Sequence, residues 1–251
     1  DPTLLILKVR NNKELKYDWS TIGADDHSSI AVFGGSLKLT NFNLDGKMYG
    51  GILYSDGDLS IENAKYNGTT VVEDAVLNDI KFGSCSDIYG STISINSGTK
   101  DLISYGNIVA TGNKNTTSIK NGTTAIKAGS VLLNGENVEI IGAIKGAAKP
   151  VVSGENTIYD GKTKVPGISD KMDNNGSFGD PKKQSGKIDH VTHLGTLYSH
   201  TTNAAQDDGD VIIKAKNDAD ILLGVGKQGL LSVPGNLSIK AGNSIYVDSD
   251  I

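Results

Sequence analysis

One cysteine, Cys85, stands in 251 residues, so no disulfide forms within the chain and cysteine usage leaves the redox compartment open. Proline is rare at five residues, and glutamate is scarce at six against 23 aspartates. No window carries a sustained apolar stripe of helical period. The abundant Asp, Asn, Ser and Thr favour non-helical backbone, so very little helix is expected. The longest aliphatic run, Leu4 to Leu7, is far too short to span a membrane. Lysines are scattered rather than clustered and the net charge is -5, which argues against a nucleic-acid partner. The chain opens at Asp1 with neither Met nor a charged-then-apolar leader, which reads as a processed product or a fragment.

What the sequence does have is a ladder. In Gly209 to Ile251 five short apolar strands are centred near Ile212, Leu222, Leu231, Ile239 and Tyr246, with Gly, Asn, Asp or Pro in every gap. Short strands so closely and evenly spaced predict a β-solenoid, a β-prism or a meander. A second ladder lies between Ser118 and Gly146, with Gly122, Gly129, Gly135 and Gly142 between apolar centres at Ile126, Leu132 and Val138 to Ile140. From Ser36 to Gly112 the strands are less regular and fit either a β-helix with uneven rungs or a sandwich. Asp45-Gly46, Asp56-Gly57, Asn67-Gly68, Ser97-Gly98 and Gly112-Asn113 separate them as turn candidates. At the start, Thr3 to Arg10 and Glu14 to Ile22 read as the two arms of a hairpin.

These observations divide the chain into four parts. Residues 1–35 form an N-terminal β-hairpin module, and 36–148 a β-helical or β-sandwich region. Residues 149–208 are a loop-rich insertion or connecting domain with almost no apolar content between Ser169 and Lys187, and 209–251 are a C-terminal β-prism ladder. A rung this short is one face and not one turn. Either three consecutive rungs of one chain make a turn of about 18 or more residues, or three chains contribute one face each, which removes open sheet edges.

Two stretches resemble bacteriophage tail fibres and spikes. LKVRNNKELKYDWSTIG resembles a short module preceding the fibre proper, and SVPGNLSIKAGNSIYV (232–247) resembles intertwined trimeric β-prisms, with Gly235 and Gly242 at the corners. The resemblance implies an all-β, elongated β-helix or β-prism in an intertwined homotrimer. It also implies a structural, non-enzymatic part of a virion tail that contacts other tail or baseplate proteins and a host surface glycan or protein receptor. The alternatives are a secreted bacterial β-solenoid adhesin, extracellular or on the bacterial surface, and a polysaccharide-cleaving tailspike.

No cofactor, metal or catalytic set is expected. His190 and His193 would point to opposite faces of a strand; with His200 they read as loop or surface histidines, and the His-x-His of fibre tips is absent. Asp173-Asn174-Asn175-Gly176 fails as an EF-hand because Lys171 and Lys182 fall where carboxylates are required. Asp207, Asp208 and Asp210, and Asp218 with Asp220, read as solvated turns. Asp56, Asp58, Glu62, Glu73 and Asp74 are carboxylates from which no catalytic pair stands out, and Cys85 reads as a small packed residue. Tyr49, Tyr54, Tyr66, Tyr89 and Tyr105 offer aromatic surface or local packing. The sequons at Asn67, Asn115, Asn121, Asn175 and Asn236 are expected by chance in so Asn- and Thr-rich a chain.

Overall fold

Branched apolar residues at every second position, interrupted every few residues by Gly, Asp or Asn, produce many short strands. The computed structural model describes residues 4–9, 13–19, 29–40, 42, 47–48, 51–83, 86–112, 117–147, 209–224 and 231–248. The chain runs through β1 (Leu4–Lys8), β2 (Glu14–Asp18), β3 (Ser29–Phe33), β4 (Ser36–Thr40), β5 (Lys47–Met48), β6 (Ile52–Ser55) and β7 (Leu59–Glu62). It continues through a hairpin of β8 (Tyr66–Asn67) and β9 (Thr70–Val71) to β10 (Ile80–Phe82), β11 (Asp87–Gly90), β12 (Ile93–Asn96), β13 (Leu102–Ser104) and β14 (Asn107–Ala110). A second hairpin, β15 (Lys120–Asn121) and β16 (Thr124–Ala125), precedes β17 (Val131–Gly135), β18 (Val138–Ile140) and β19 (Ile144–Lys145). Then follow β20 (Val211–Ala215), β21 (Ile221–Leu223), β22 (Leu231–Ser232), β23 (Leu237–Lys240) and β24 (Ile245–Val247).

Apart from the two hairpins, all these strands fall into three sheets. Sheet I is β1-β3-β6-β11-β14-β19-β22, sheet II is β2-β4-β7-β12-β17-β20-β23, and sheet III is β5-β10-β13-β18-β21-β24. Every strand pairing within the three sheets is parallel. From β3 onward the chain visits sheets I, II and III in that repeating order. An uninterrupted circuit separates hydrogen-bonded Asp87 and Asn107 by 20 residues. The same passage separates Ser36 from Asp58 by 22 residues and Asp210 from Asn236 by 26 residues. Seven stacked strands at a spacing of about 4.8 Å reach about 29 Å.

Alternation puts one residue set of each strand between the sheets. Ile30, Leu53, Ile88, Ile108, Ile144 and Leu231 face inward from sheet I in register. Leu37, Leu59, Ile93, Val131 and Val211 do so from sheet II, and Ile80, Leu102, Val138 and Ile221 from sheet III. One apolar core results, with Trp19, Phe42 and Phe82 stacked at centroid distances of 4.7 and 5.6 Å toward its N-terminal end.

Short polar side chains supply the bonds at the corners. Before sheet III, Asp79 Oδ1 accepts from Asp101 N, Asp101 Oδ1 from Asn137 N and Nδ2, Asn137 Oδ1 from Asp220 N, and Asp220 Oδ1 from Ser244 N. Before sheet I, Ser29 Oγ accepts from Ile52 N, Asp87 Oδ1 from Asn107 N and Nδ2, and Asn107 Oδ1 from Ala143 N. Asp and Asn reach the amide of the next circuit while staying close to their own backbone. This gives the excess of Asp over Glu a structural role.

Two expectations need correction. Residues 1–35 do not form a hairpin module: β1 pairs with β3 and β2 with β4, both in parallel, because each arm finds an apolar partner one circuit on. The sandwich alternative for 36–148 fails for the same reason, since its strands pair in parallel with partners a full circuit away. The five apolar centres of 209–251 fall on β20 to β24, one to each strand. Asp45-Gly46, Tyr49, Cys85 and the whole of the segment 149–208 lie outside the described residues.

Candidate functional site

Two excursions and one longer break interrupt the circuits, and each has a tied neck. Residues 64–79 leave between β7 and β10. There Asn63 Nδ2 donates to Asn78 O at 2.5 Å and to Ser97 O at 3.2 Å, which draws the two ends together. The second excursion leaves between β14 and β17. Gly129 N donates there to Thr92 Oγ1, and Ser118 donates through both N and Oγ to Asp58 Oδ2. The longer break falls between β19 and β20, where Gly209 N donates to Ala147 O at 2.9 Å.

The two excursions carry hairpins of one design. Asn67-Gly68-Thr69-Thr70 and Asn121-Gly122-Thr123-Thr124 pair Asn with the second Thr and place the glycine at φ 62° and 68°. Glycine at the first central position suits a two-residue hairpin turn. They are the only antiparallel pairs among the described residues.

Both hairpins fold back over the outer face of sheet II. Near its N-terminal end, Tyr66 Oη donates to Glu62 Oε2 at 2.8 Å, Lys16 Nζ stands 4.5 Å from the Tyr66 ring centroid, and Lys38 Nζ bonds Glu62 Oε1 at 3.0 Å. Burial, the Glu62 hydrogen bond and its charge push the Tyr66 phenol up to about 12. Further along, Ile119 and Ile126 cover the outward Leu132 and Ile212, and Lys214 bonds Asn121. Between the hairpins the outward residues of β7, β12 and β17 are Ser60 and Glu62, Ser94 and Asn96, and Leu132 and Asn134, aligned by the parallel register.

Asp58 stands at the edge of this face, at the corner from sheet I to sheet II. It is 4% exposed, its Oδ2 takes both bonds from Ser118, and its Oδ1 is buried without a partner. Burial raises its pKa, and hydrogen bonds from Ser118, Thr117 and Thr92 offset this in part. A raised folded-state pKa means that the folded chain holds this proton more tightly than the unfolded one. The stabilisation is complete below the unfolded value of 3.8 and is lost as pH rises through the folded value. Asp58→Asn keeps an acceptor for Ser118 and carries no charge. Its melting temperature relative to the parent should therefore be higher at about pH 7 than at about pH 4. An equal offset at both would mean that Asp58 is not the titrating group.

The other sequence candidates fall apart as a set. Asp56 accepts from Tyr54 Oη at 2.7 Å and from Gly34 N at 2.6 Å, and Glu62 is held by Lys38 and Tyr66, so these carboxylates serve the scaffold. Glu73 and Asp74 lie on the first excursion. Asp210 bonds Asn236 and Lys127, Asp220 bonds Asn243, and Asp218 sits in a turn at φ 66°. No group of three or more His, Cys, Asp or Glu among the described residues is placed to hold a metal ion. His190, His193, His200, Asp207, Asp208 and residues 171–182 lie outside them. Tyr54 and Tyr89 are fully buried, with ring centroids 6.5 Å apart on adjacent strands of sheet I, and burial, then the charge of Asp87, raises the Tyr89 pKa. Tyr105 is 49% exposed. Among the described residues no helix is long and apolar enough to cross a membrane.

That the outward Ser and Asn residues of β7, β12 and β17 share one face was missed from sequence, since isolated Ser and Asn in strands carry no signal. The repeated Asn-Gly-Thr-Thr was the available clue. Comparison of the chain with protein-family models, curated proteins and solved structures returned no match.

Proposed function

We propose that the chain is a single-chain β-helix, part of an extracellular adhesin-type rod whose role is structural and recognitive. The observation that carries this is the cyclic passage of one chain through three parallel sheets, each circuit stacked on the last. Such a chain supplies all three faces itself. An intertwined homotrimer answers a different need, that of a face which one chain leaves uncovered. The tied necks favour the same reading: a scaffold that carries excursions without breaking its own stacking is suited to display them.

Tail-fibre and tailspike readings share the rod but require three chains. Light scattering behind size exclusion separates them, with and without SDS at room temperature. A species of 26.3 kDa is expected. A detergent-resistant particle of three times that mass would overturn the single-chain reading and restore the virion fibre.

A further inference from the structure

We propose that the C-terminal end of the stack is a docking surface for a second copy of this chain. The N-terminal end of that copy seats on it, so that sheets I and II run on from one copy into the next. The inference rests on the single-chain rod reading above and extends it from one rod to a row of them.

The last strands are built like those before them but lack a neighbour. β22, β23 and β24 each close the order of their sheet, and no strand among the described residues pairs with their outer edges. Such an edge is a template for a further strand. Leu237 and Ile239 of β23 stand in register with Val211 and Ile213, and Ile245 and Val247 of β24 with Ile221 and Leu223. Those four partners are at most 1% exposed, whereas Leu237 is 38%, Val247 42% and Ile245 46% exposed, and Ile239 is half-buried. Residues of inward parity thus end in solvent, and one more circuit would take them out of it.

The opposite end has the matching form. β1 and β2 are the first strands of sheets I and II. Leu15 and Tyr17 of β2 are half-buried, while Leu37 and Leu39, their partners one circuit on, are buried. Followed strand by strand, the registers of sheet II put Leu15 and Leu237 in one inward column and Tyr17 and Ile239 in the other. Asp18 and Lys240 share an outward column. A copy that keeps this register across the junction sets Leu15 on Leu237, Tyr17 on Ile239 and the Asp18 carboxylate beside the Lys240 ammonium. Apolar meets apolar inside, and opposite charges meet outside and fix the register. Two C-terminal ends placed face to face would break the parallel pairing that the three sheets keep throughout.

The contact is small. Strands of about five residues give the end face edges of about 17 Å. It therefore buries far less than the about 800 Å² per partner of a stable complex. Stacking belongs to concentrated solution, and the dilute chain stays at 26.3 kDa.

The test reads weight-average mass by light scattering over a dilution series of the full chain, with melting temperature on the same samples. From dilute to concentrated solution the mass should rise at least about twofold and continue past two copies, as an open head-to-tail contact requires. Lys240→Asp and Asp18→Lys should each flatten the rise. An equimolar mixture of the two variants should regain it, because each then offers the other an opposite charge. Ile245→Asp, at a side chain already open to solvent, should flatten it with a melting temperature shifted no more than by a surface change. Val76→Asp, on the first excursion, should leave it as it was. A mass fixed at 26.3 kDa at every concentration, a plateau at two copies, a mixture no heavier than its components, or a full rise in a folded Ile245→Asp would each overturn the stacking and spare the single-chain rod. A detergent-resistant particle of three copies at every dilution would sink the rod reading itself.

Discussion

Truncating Leu59 to Ala should cost about 2–5 kcal/mol of folding free energy, measured by urea unfolding, with the cooperative transition kept. Leu59 is fully buried in β7, between Leu37 of the preceding circuit and Ile93 of the next, in register with both. A Cβ added at Gly90 would lie 2.7 Å from the Leu59 Cβ, so this corner is packed without slack. The side chain therefore fills a gap that its neighbours, fixed by parallel pairing on both sides, cannot close by moving. The expected cost sits toward the upper end of the range for that reason. A loss under about 0.5 kcal/mol, the scale of a surface change, would mean that the three sheets do not share one core.

Gly142→Ala should be more damaging than its size suggests. The new Cβ would collide with Gly106 O and stand 2.8 Å from Tyr105 O, and Gly106 in turn has Ser86 O where its own Cβ would be. The atoms crowding Gly142 all belong to the backbone, so no flexible side chain can yield. Stacked circuits approach each other here at main-chain distance. Overpacking that forces backbone to move costs about 1–3 kcal/mol and sometimes more. Gly68→Asn is the control: its glycine has φ 62° with nothing within 4 Å of the added atom, and Asn tolerates that conformation. Its melting temperature should match the parent to within the effect of an ordinary surface change. Equal melting temperatures for the two variants would remove the close stacking at residues 106 and 142.

Strand existence was legible because alternation and turn residues act locally. Leu222, Leu231 and Ile239 are strand residues in the structure as in the sequence. Partnering was not legible. Thr3 to Arg10 and Glu14 to Ile22 satisfy every local rule for a hairpin. What overrides it is the register of Leu15 with Leu37 and of Leu7 with Val32, which only the rest of the chain supplies. Asp56-Gly57 shows the same limit: a dipeptide that favours a hairpin turn here makes a corner, with Gly57 N bonded to Gly35 O of the previous circuit. Asn67-Gly68 and Asn121-Gly122 make hairpins because they lie in excursions, free of that neighbour. At the candidate site, Ser94 and Asn134 come to share one face only through the parallel register of β12 with β7 and β17. Tyr54 and Tyr89 pair across circuits, a relation that no spacing in the sequence announces.

Parallel stacking also sets the order in which this protein acquires its structure. No strand of the three sheets can be paired by its immediate successor, so early collapse yields no native sheet contact until a full circuit and its neighbour are both in place. Growth then proceeds by adding circuits to an existing edge, each addition resembling the last. The steps are unequal. Bringing Asn107 to Asp87 spans 20 residues, whereas bringing Asp210 to Ser130 spans 80 residues. The entropic cost of closure rises with the logarithm of that length. The circuits before Ala147 are thus the early-forming body, and those after Gly209 attach last, through an edge that is already built.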